Sequence, residues 1–418
     1  MVFSPVPHPS HRHSSGARSA PPGSESWITP WVQIKYFTFH PNVFPNMIAA
    51  ASPDAEKGSI VAVYDRTGQI FGHAFFNPDA RVPLRIFSHS SDPLPADHFE
   101  NAIRQAVTLR LGSLRLEEDT DAFRAVNSDG DGIPGLMVDK FGEVLAVEIS
   151  TVAAMQRLDE WVPLLHILLG TKDAVYHFDA NAARAEMLSP HLVSEDLEQK
   201  SAKVESTRIE ENGVRFLVNF ESGHKTGFFC DQRDNRAQFA KWVRHARMLD
   251  VCCYTGGFSV MAKKHGGAAE VTAVDLDENA IAVAKKNANL NQVRVDFVHS
   301  DAFTWMRQMQ KNGEVWDAVV LDPPKLVHSR DSFEEGRAKY HDLNKLAVSL
   351  VKRGGLFLTC SCSGLMPEEA FEELVVGVAH RNGRKLQILD KRGAGADHPV
   401  MSNCPESRYL KTIWARVW

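Results

Sequence analysis

The chain has 418 residues, 44% of them hydrophobic and 24% charged, with a formal net charge of -5 and a pI of about 6.4. That is too long for one compact core, so two or three domains are expected, with the composition of an ordinary soluble globular protein. The charge balance excludes the global basic signature of a nucleic-acid binder, though not a basic patch on one domain. No apolar run approaches the roughly 18 residues needed to span a bilayer.

The first 26 residues, MVFSPVPHPSHRHSSGARSAPPGSES, are rich in Ser, Pro and His and have no apolar periodicity. They are expected to form a disordered extension, and the missing h-region argues against a signal peptide. WVQIKYFTF, GSIVAVYD, QIFGHAFFN and VPLRIFS follow as short apolar stretches broken by turn residues. They predict a small all-β module over 27–95. ADHFENAIRQAVTLRLGSL predicts an amphipathic helix, RAVNSDGDGIPGLMVDKFGEVLAVEIS a hairpin or meander, AAMQRLDEWVPLLHILLG a helix and DAVYHFD a strand. These make a central α+β module over 96–205. DGDG has an EF-hand look, but no glutamate falls at the twelfth loop position, so calcium is not expected. Turn chemistry and an interdomain or RNA contact compete for that loop.

From 206 the texture changes. ARMLDVCCY, EVTAVDLD, VRVDFVH, WDAVVLDPP and GGLFLTCS are buried-strand runs separated by helical patterns such as ENAIAVAKKNANLN. Alternating strand and helix predicts a parallel sheet covered on both faces, hence a doubly wound α/β domain over 206–418.

The six cysteines are Cys230, Cys252, Cys253, Cys360, Cys362 and Cys404. None forms a CxxC pair and no Cys/His spacing suits zinc, so no metal site is expected, and a reducing, cytoplasmic compartment is.

Open α/β sheets bind ligands at the carboxyl ends of their strands. The first such end reads DVCCYTGGFS, where Gly256 and Gly257 allow a tight turn before a helix. The second carries Asp275, 19 residues past Gly256, where an acid grips a ribose diol. The third carries Asp301 and the fourth Asp322, in LDPPK. GxGxxG is absent, which disfavours a dinucleotide. A glycine turn, a ribose acid, Asp-Ala-Phe and Asp-Pro-Pro in that order point to a class I S-adenosylmethionine-dependent methyltransferase. The expected cofactor residues are Tyr254, Thr255, Gly256, Gly257, Phe258, Asp275, Leu276, Asp301, Ala302 and Asp322.

Exocyclic-amine methylation uses an aromatic ring after Asp/Asn-Pro-Pro, and here that position is Lys325. Carbon 5 of a pyrimidine is different chemistry. It becomes nucleophilic only after a thiolate adds at C6 while an acid polarises the N3/N4 edge. The fifth strand ends in TCSCSG beside the fourth, about 4.8 Å away. Asp322 and a cysteine would then face one substrate. Cys360 still belongs to the apolar strand, whereas Cys362 lies at its tip between serines, so Cys362 is the expected nucleophile and Cys360 core.

The strings HPNVF, VNSDGDGIPGLMVDKFG, GHKTGFFCDQRDNR, YTGGFSV, VLDPPK, SCSGLM and ADHPV resemble those of the RlmI-type 23S rRNA (cytosine-5) methyltransferase family along nearly the whole ordered length. The resemblance implies an α/β protein whose C-terminal Rossmann-like class I methyltransferase domain follows an N-terminal PUA domain and a central α+β domain. It implies S-adenosyl-L-methionine as cofactor, 23S ribosomal RNA as partner and a catalytic cysteine at Cys362. A homodimer is compatible with it. It also suggests that GHKTGFFCDQRDNR packs over the cofactor through Phe228, Asp231, Gln232 and Arg233. A helix N-cap at Asp231 is the competing reading. Asp397 or His398 of ADHPV is a candidate base for the C5 proton, with a pre-proline turn as the alternative. A sister group that methylates guanine N7 without a cysteine, and a non-catalytic RNA-binding or ribosome-assembly factor, are the competing functions.

Overall fold

The computed structural model describes residues 20–220 and 226–418. Most of the expected N-terminal extension (1–19), and Gly223 to Lys225 of the polar segment, lie outside the described residues. Ser24–Ser26 already form a 3-10 turn. The chain divides into two compact units, Met1–Pro93 and Leu94–Trp418.

The first unit is all β. Strands β1 (Trp31–Ile34), β2 (Asn42–Val43), β3 (Ile48–Ala51), β4 (Ser59–Tyr64), β5 (Ile70–Phe76) and β6 (Leu84–Ser88) form one sheet in the order β2-β6-β5-β4-β1-β3. Val32, Ile34, Val61, Val63, Ala74 and Phe76 alternate along their strands and share one core, as period-2 patterning dictates. The run WVQIKYFTF is strand only as far as Ile34; Tyr36, Phe37 and Phe39 are exposed.

The second unit begins with α1 (His98–Thr108), which buries Phe99, Ile103, Ala106 and Val107 on one face. A π-helical turn, Leu109–Ser113, follows and turns Arg110 inward. Then β7 (Ala122–Asn127), β8 (Leu136–Phe141) and β9 (Val144–Ile149) form the expected antiparallel meander. β10 (Asp173–Phe178) adds in parallel beside β9. The single helix expected over 153–170 is two, α2 (Val152–Met155) and α3 (Leu158–Leu169). The first is N-capped by Thr151, and the second starts afresh after Arg157 leaves helical geometry. Helices α4 (Ala180–Ala185) and α5 (Pro190–Lys200) lead to the hairpin β11 (Ser206–Glu211) and β12 (Val214–Asn219). Its Asn212-Gly213 turn has both φ angles positive, the twist a two-residue hairpin requires.

After α6 (Arg233–Ala240) comes the doubly wound sheet. Its strands are β13 (Arg247–Val251), β14 (Glu270–Asp275), β15 (Asp296–His299), β16 (Trp316–Leu321), β17 (Val351–Ser361), β18 (Leu386–Arg392) and β19 (Lys411–Val417), in the order β15-β14-β13-β16-β17-β19-β18. Five neighbours run parallel, and β19 inserts antiparallel beside β17 and β18. Helices α7 (Gly257–Lys264), α8 (Glu278–Leu290), α9 (Ala302–Lys311), α10 (Phe333–Ser349) and α11 (Glu368–Arg381) connect the strands. The strand order reverses at β13 and β16, where such sheets leave a crevice at their carboxyl ends. No helix among the described residues is long and apolar enough to cross a membrane.

Buried arginine–carboxylate pairs tie the four-stranded layer to the loops of the large sheet. Arg233 binds both oxygens of Asp397, at 2.9 and 3.1 Å, with both groups almost fully buried. Asp397 also accepts the Arg124 backbone N–H at 3.0 Å, and its carbonyl accepts Arg110 at 2.6 Å. Arg124 forks onto Asp139, Arg110 onto Asp131, and Arg236 onto Glu211. Forked guanidinium geometry suits such buried pairs. The DGDG loop thereby acquires its role: Asp131 anchors Arg110, and a Cβ on Gly130 would strike the Pro399 carbonyl at 2.1 Å.

Burial works to raise the Asp397 carboxyl, but His398 and Arg233 outweigh it and hold the group well below the usual carboxylate range. Its stabilising contribution is therefore present above about pH 4 and fades as the pH falls below that. Arg233→Ala removes the forked partner of a buried carboxylate, leaving it only His398 and the Arg124 N–H, and is expected to cost up to about 3–5 kcal/mol. Urea denaturation at pH 7 checks this; a loss below about 1 kcal/mol would show that the pair is not needed.

Candidate functional site at the carboxyl ends of the parallel strands

Register sets the site. Val251 pairs with Val274 and Leu321, Asp275 with His299, and Leu321 with Thr359. The segments after β13, β14, β15, β16 and β17 therefore emerge along one edge.

The turn after β13 is strained in a specific way. Cys252, Tyr254 and Gly256 have φ of 62, 47 and 79°, so two non-glycine residues occupy the left-handed region. A Cβ on Gly256 would sit 3.2 Å from Ala284, and one on Gly257 would meet Arg236 at 2.9 Å. The turn is held open by its neighbours. Asp275 accepts the Tyr254 N–H at 2.8 Å, and buried Asn287 donates to the Thr255 carbonyl at 2.9 Å. Asp275 spends its other oxygen on the Asp277 N–H at 2.9 Å. Leu276 is exposed at the rim. Asp301 caps α9 through the Thr304 N–H and hydroxyl, with Ala302 half-buried behind it. Phe228 and Phe258 are almost fully buried. Phe228 packs against Phe216 and under Arg236, and Phe258 stands edge-on to Phe239, so both contribute packing.

Asp250, at the floor of this turn, was not singled out from sequence. It is fully buried and accepts the Ser259 N–H and hydroxyl through one oxygen, while the other has no partner. Burial pushes its carboxyl up to about 7. An acidic residue six positions before a glycine turn was the signal available. The opened turn, the two acids and this orphan oxygen suit a ligand with a ribose diol and a cationic end, as S-adenosylmethionine has.

Gln232 joins the segment before the sheet to the fourth strand end. Its amide donates to Asp322 at 3.0 Å and is itself fixed by Asn235, which donates to it at 2.7 Å. Burial, reinforced by Asp231, pushes the Asp322 carboxyl up to about 7 against that hydrogen bond. Asp231 is not the helix cap considered above. It lies in a 3-10 turn, Cys230–Gln232, ahead of α6, and accepts the Tyr409 hydroxyl at 2.7 Å. Its other oxygen is buried without a partner.

β17 ends at Ser361, so Cys360 lies within the strand and Cys362 just beyond it. Cys360 is fully buried, and burial, with Asp322 adding to it, pushes its thiol well above its ordinary value. Burial does the same to Cys230, Cys252 and Cys253, and raises Cys404 to about 11. Cys362 is only partly buried, and its thiol donates to the Pro323 carbonyl at 3.8 Å. It thus sits against the Asp-Pro-Pro segment.

Asp397 is not part of this cluster. Both its oxygens are engaged by Arg233, Arg124 and His398, and it is fully buried and strongly acidic. That geometry makes it an anchor, and the proton-accepting role expected for it is set aside.

Residues 186–392 match the family model of S-adenosylmethionine-dependent methyltransferases, and residues 29–89 that of PUA-like domains. The chain is 34% identical to the ribosomal RNA large subunit methyltransferase I of Shewanella frigidimarina, covering 91% of this chain and 96% of that one. It is 31% identical to the protein of the same name in Escherichia coli O139:H28, over 90% and 95% of the two chains. A solved methyltransferase candidate from Streptococcus mutans superposes with a TM-score of 0.74 at 21% identity, over 92% of this chain and all of that one. A second structure, SMU.776 complexed with SAH, gives 0.72 at 22%, over 86% and 92%. These two likenesses bear on the fold.

Gly256→Ala is expected to weaken S-adenosylmethionine binding tenfold or more, with a stability loss of only about 1–2 kcal/mol from the left-handed backbone. Titration calorimetry beside thermal melting checks both; unchanged affinity would remove this turn from the cofactor site.

Proposed function

Because this chain belongs to the ribosomal RNA large subunit methyltransferase I family, we propose that it methylates carbon 5 of a cytosine in 23S ribosomal RNA. The PUA-like domain serves as an RNA-binding module, and a cytoplasmic location follows from the substrate. The observation that carries the base assignment is the placement of Cys362. It is a partly exposed thiol at the tip of β17, against the Asp-Pro-Pro segment of β16.

S-adenosylmethionine, when bound, supplies an electrophilic methyl group on a sulfonium. Asp275, the Tyr254–Gly257 turn and Asp250 would hold its ribose and neighbouring groups. The remaining work falls to the chain. The Cys362 thiolate adds to C6, and the electron pair released makes C5 the nucleophile. Asp322, protonated below about pH 7, donates to N3 of the cytosine and offsets the charge that develops on the ring. Gln232 holds its other face in position. Loss of the C5 proton to a base then expels the thiolate and restores the aromatic ring. Cys360 keeps its proton and packs beneath.

Cys362→Ala is expected to abolish methyl transfer while leaving cofactor affinity within about twofold. RNA containing 5-fluorocytosine should trap the wild-type protein covalently, because fluorine cannot leave as a proton does. Mapping the adduct to Cys362 supports the reading; methyl transfer by Cys362→Ala, or a product methylated on guanine, sinks it. Since the Asp322 carboxyl is raised, its acid form is lost as pH climbs through about 7. The kcat/KM profile should therefore carry a limb falling near pH 7, and this limb should be missing in Asp322→Asn.

A further inference from the structure

Lys411 opens β19, opposite Ser361 at the end of β17. Its side chain is 3% exposed. The ammonium donates to two neutral acceptors, the Ser363 carbonyl at 2.6 Å and the Tyr409 carbonyl at 2.8 Å. Among the described residues no carboxylate lies within ion-pairing distance of it. Buried arginines of the same unit contrast with this, since Arg110, Arg124, Arg233 and Arg236 each have a carboxylate. A buried cation without a counter-anion is costly, and such a group calls for an anion nearby. The two β17-side residues that Lys411 meets, Ser361 and Ser363, flank Cys362.

We propose that the Lys411 ammonium is the counter-cation of the Cys362 thiolate, and hence a positioning residue for attack on the substrate. This rests on the nucleophilic reading of Cys362. Lys411 transfers no proton. It stays an ammonium while the thiolate forms a C–S bond and while that bond breaks again. In the adduct the sulfur is a neutral thioether and Lys411 loses its counter-anion. The same cation therefore favours the thiolate before addition and its expulsion afterwards.

Titratable groups from several elements surround this pair, among them Asp322 in the Asp-Pro-Pro segment against which Cys362 sits, its carboxyl raised to about 7 by burial. Tyr340 of α10 hydrogen-bonds the Ser363 hydroxyl at 3.0 Å, and burial, with Cys362 adding to it, raises its phenol to about 12, so it stays neutral. Cys360 of β17 stays a thiol. Burial lowers Lys411 of β19 to about 8, while Cys362 and Glu368, at the start of α11, work against that. The ammonium is thus present below about pH 8 and is lost above it.

The test is alkylation of the full-length protein with iodoacetamide across pH 5 to 10, read at Cys362 by peptide fragmentation. In wild type the midpoint should fall below the free-thiol value of about 8.5. Lys411→Met should raise it by at least one unit and slow alkylation at pH 7 about tenfold, and Lys411→Arg should restore most of the shift. Cofactor affinity in both variants reports folding. An identical midpoint in Lys411→Met overturns the proposal. If that variant does not fold, a wild-type midpoint at or above about 8.5 overturns it instead. Methyl transfer is not the readout, so failure of the nucleophile assignment (activity in Cys362→Ala) is distinguishable from failure of this one.

Discussion

The Arg233–Asp397 ion pair is the constraint on which the site hangs. Arg233 follows Gln232, whose amide holds Asp322, and Asp397 receives the backbone of β7 and the carboxylate's second partner from α6. Both charges are almost fully buried, where an isolated charge would be prohibitive and a forked, fully hydrogen-bonded pair is tolerated. Because neither partner can move without exposing the other, the loop after β18, the start of α6 and the four-stranded layer keep one arrangement. Asp322 inherits its position from that arrangement.

Two similar thiols then acquire different chemistry from two residues of chain. Cys360 is within the strand, closed in by apolar neighbours and close to the Asp322 carboxyl, and both conditions disfavour a thiolate. Cys362 is past the last paired residue, partly exposed and beside the Pro323 carbonyl. The distinction is where the ladder ends: Cys360 pairs with Thr412, and Cys362 lies beyond the last pair, Ser361 with Lys411.

Much of this was legible in the chain. The apolar runs marked all the parallel strands, and parallel pairing in a doubly wound sheet then obliges their carboxyl ends to share an edge. Gly256, Asp275, Asp322 and Cys362 are candidates on that ground, and the structure places each at or just past the carboxyl end of its strand. Asp250 was passed over because it lies inside a strand run, where an acid looks like an interruption rather than a floor. The anchoring role of Asp397 is not legible in ADHPV, which by itself offers only a candidate base at Asp397 or His398 or a pre-proline turn. Its partners, Arg124 and Arg233, are 273 and 164 residues distant, and no local pattern announces them. The helix over 153–170 broke for a local reason, a Thr151 cap followed by a fresh start at Leu158, that apolar periodicity does not register.

The sequence by itself determined the classes of element, the doubly wound sheet and the residue types at its strand ends, because these follow from periodicity and turn chemistry read over a few residues at a time. Only the tertiary structure decided which carboxylates are anchors and which are available, since ionisation depends on burial and on partners far along the chain. It also decided that Lys411, opposite Ser361 on the neighbouring strand, reaches the carbonyl of Ser363, the residue after Cys362, across 48 residues of sequence through the antiparallel pairing of β17 and β19. A lysine at the start of a strand looks solvent-facing on paper. The neighbouring strand and two backbone carbonyls make it a buried charge.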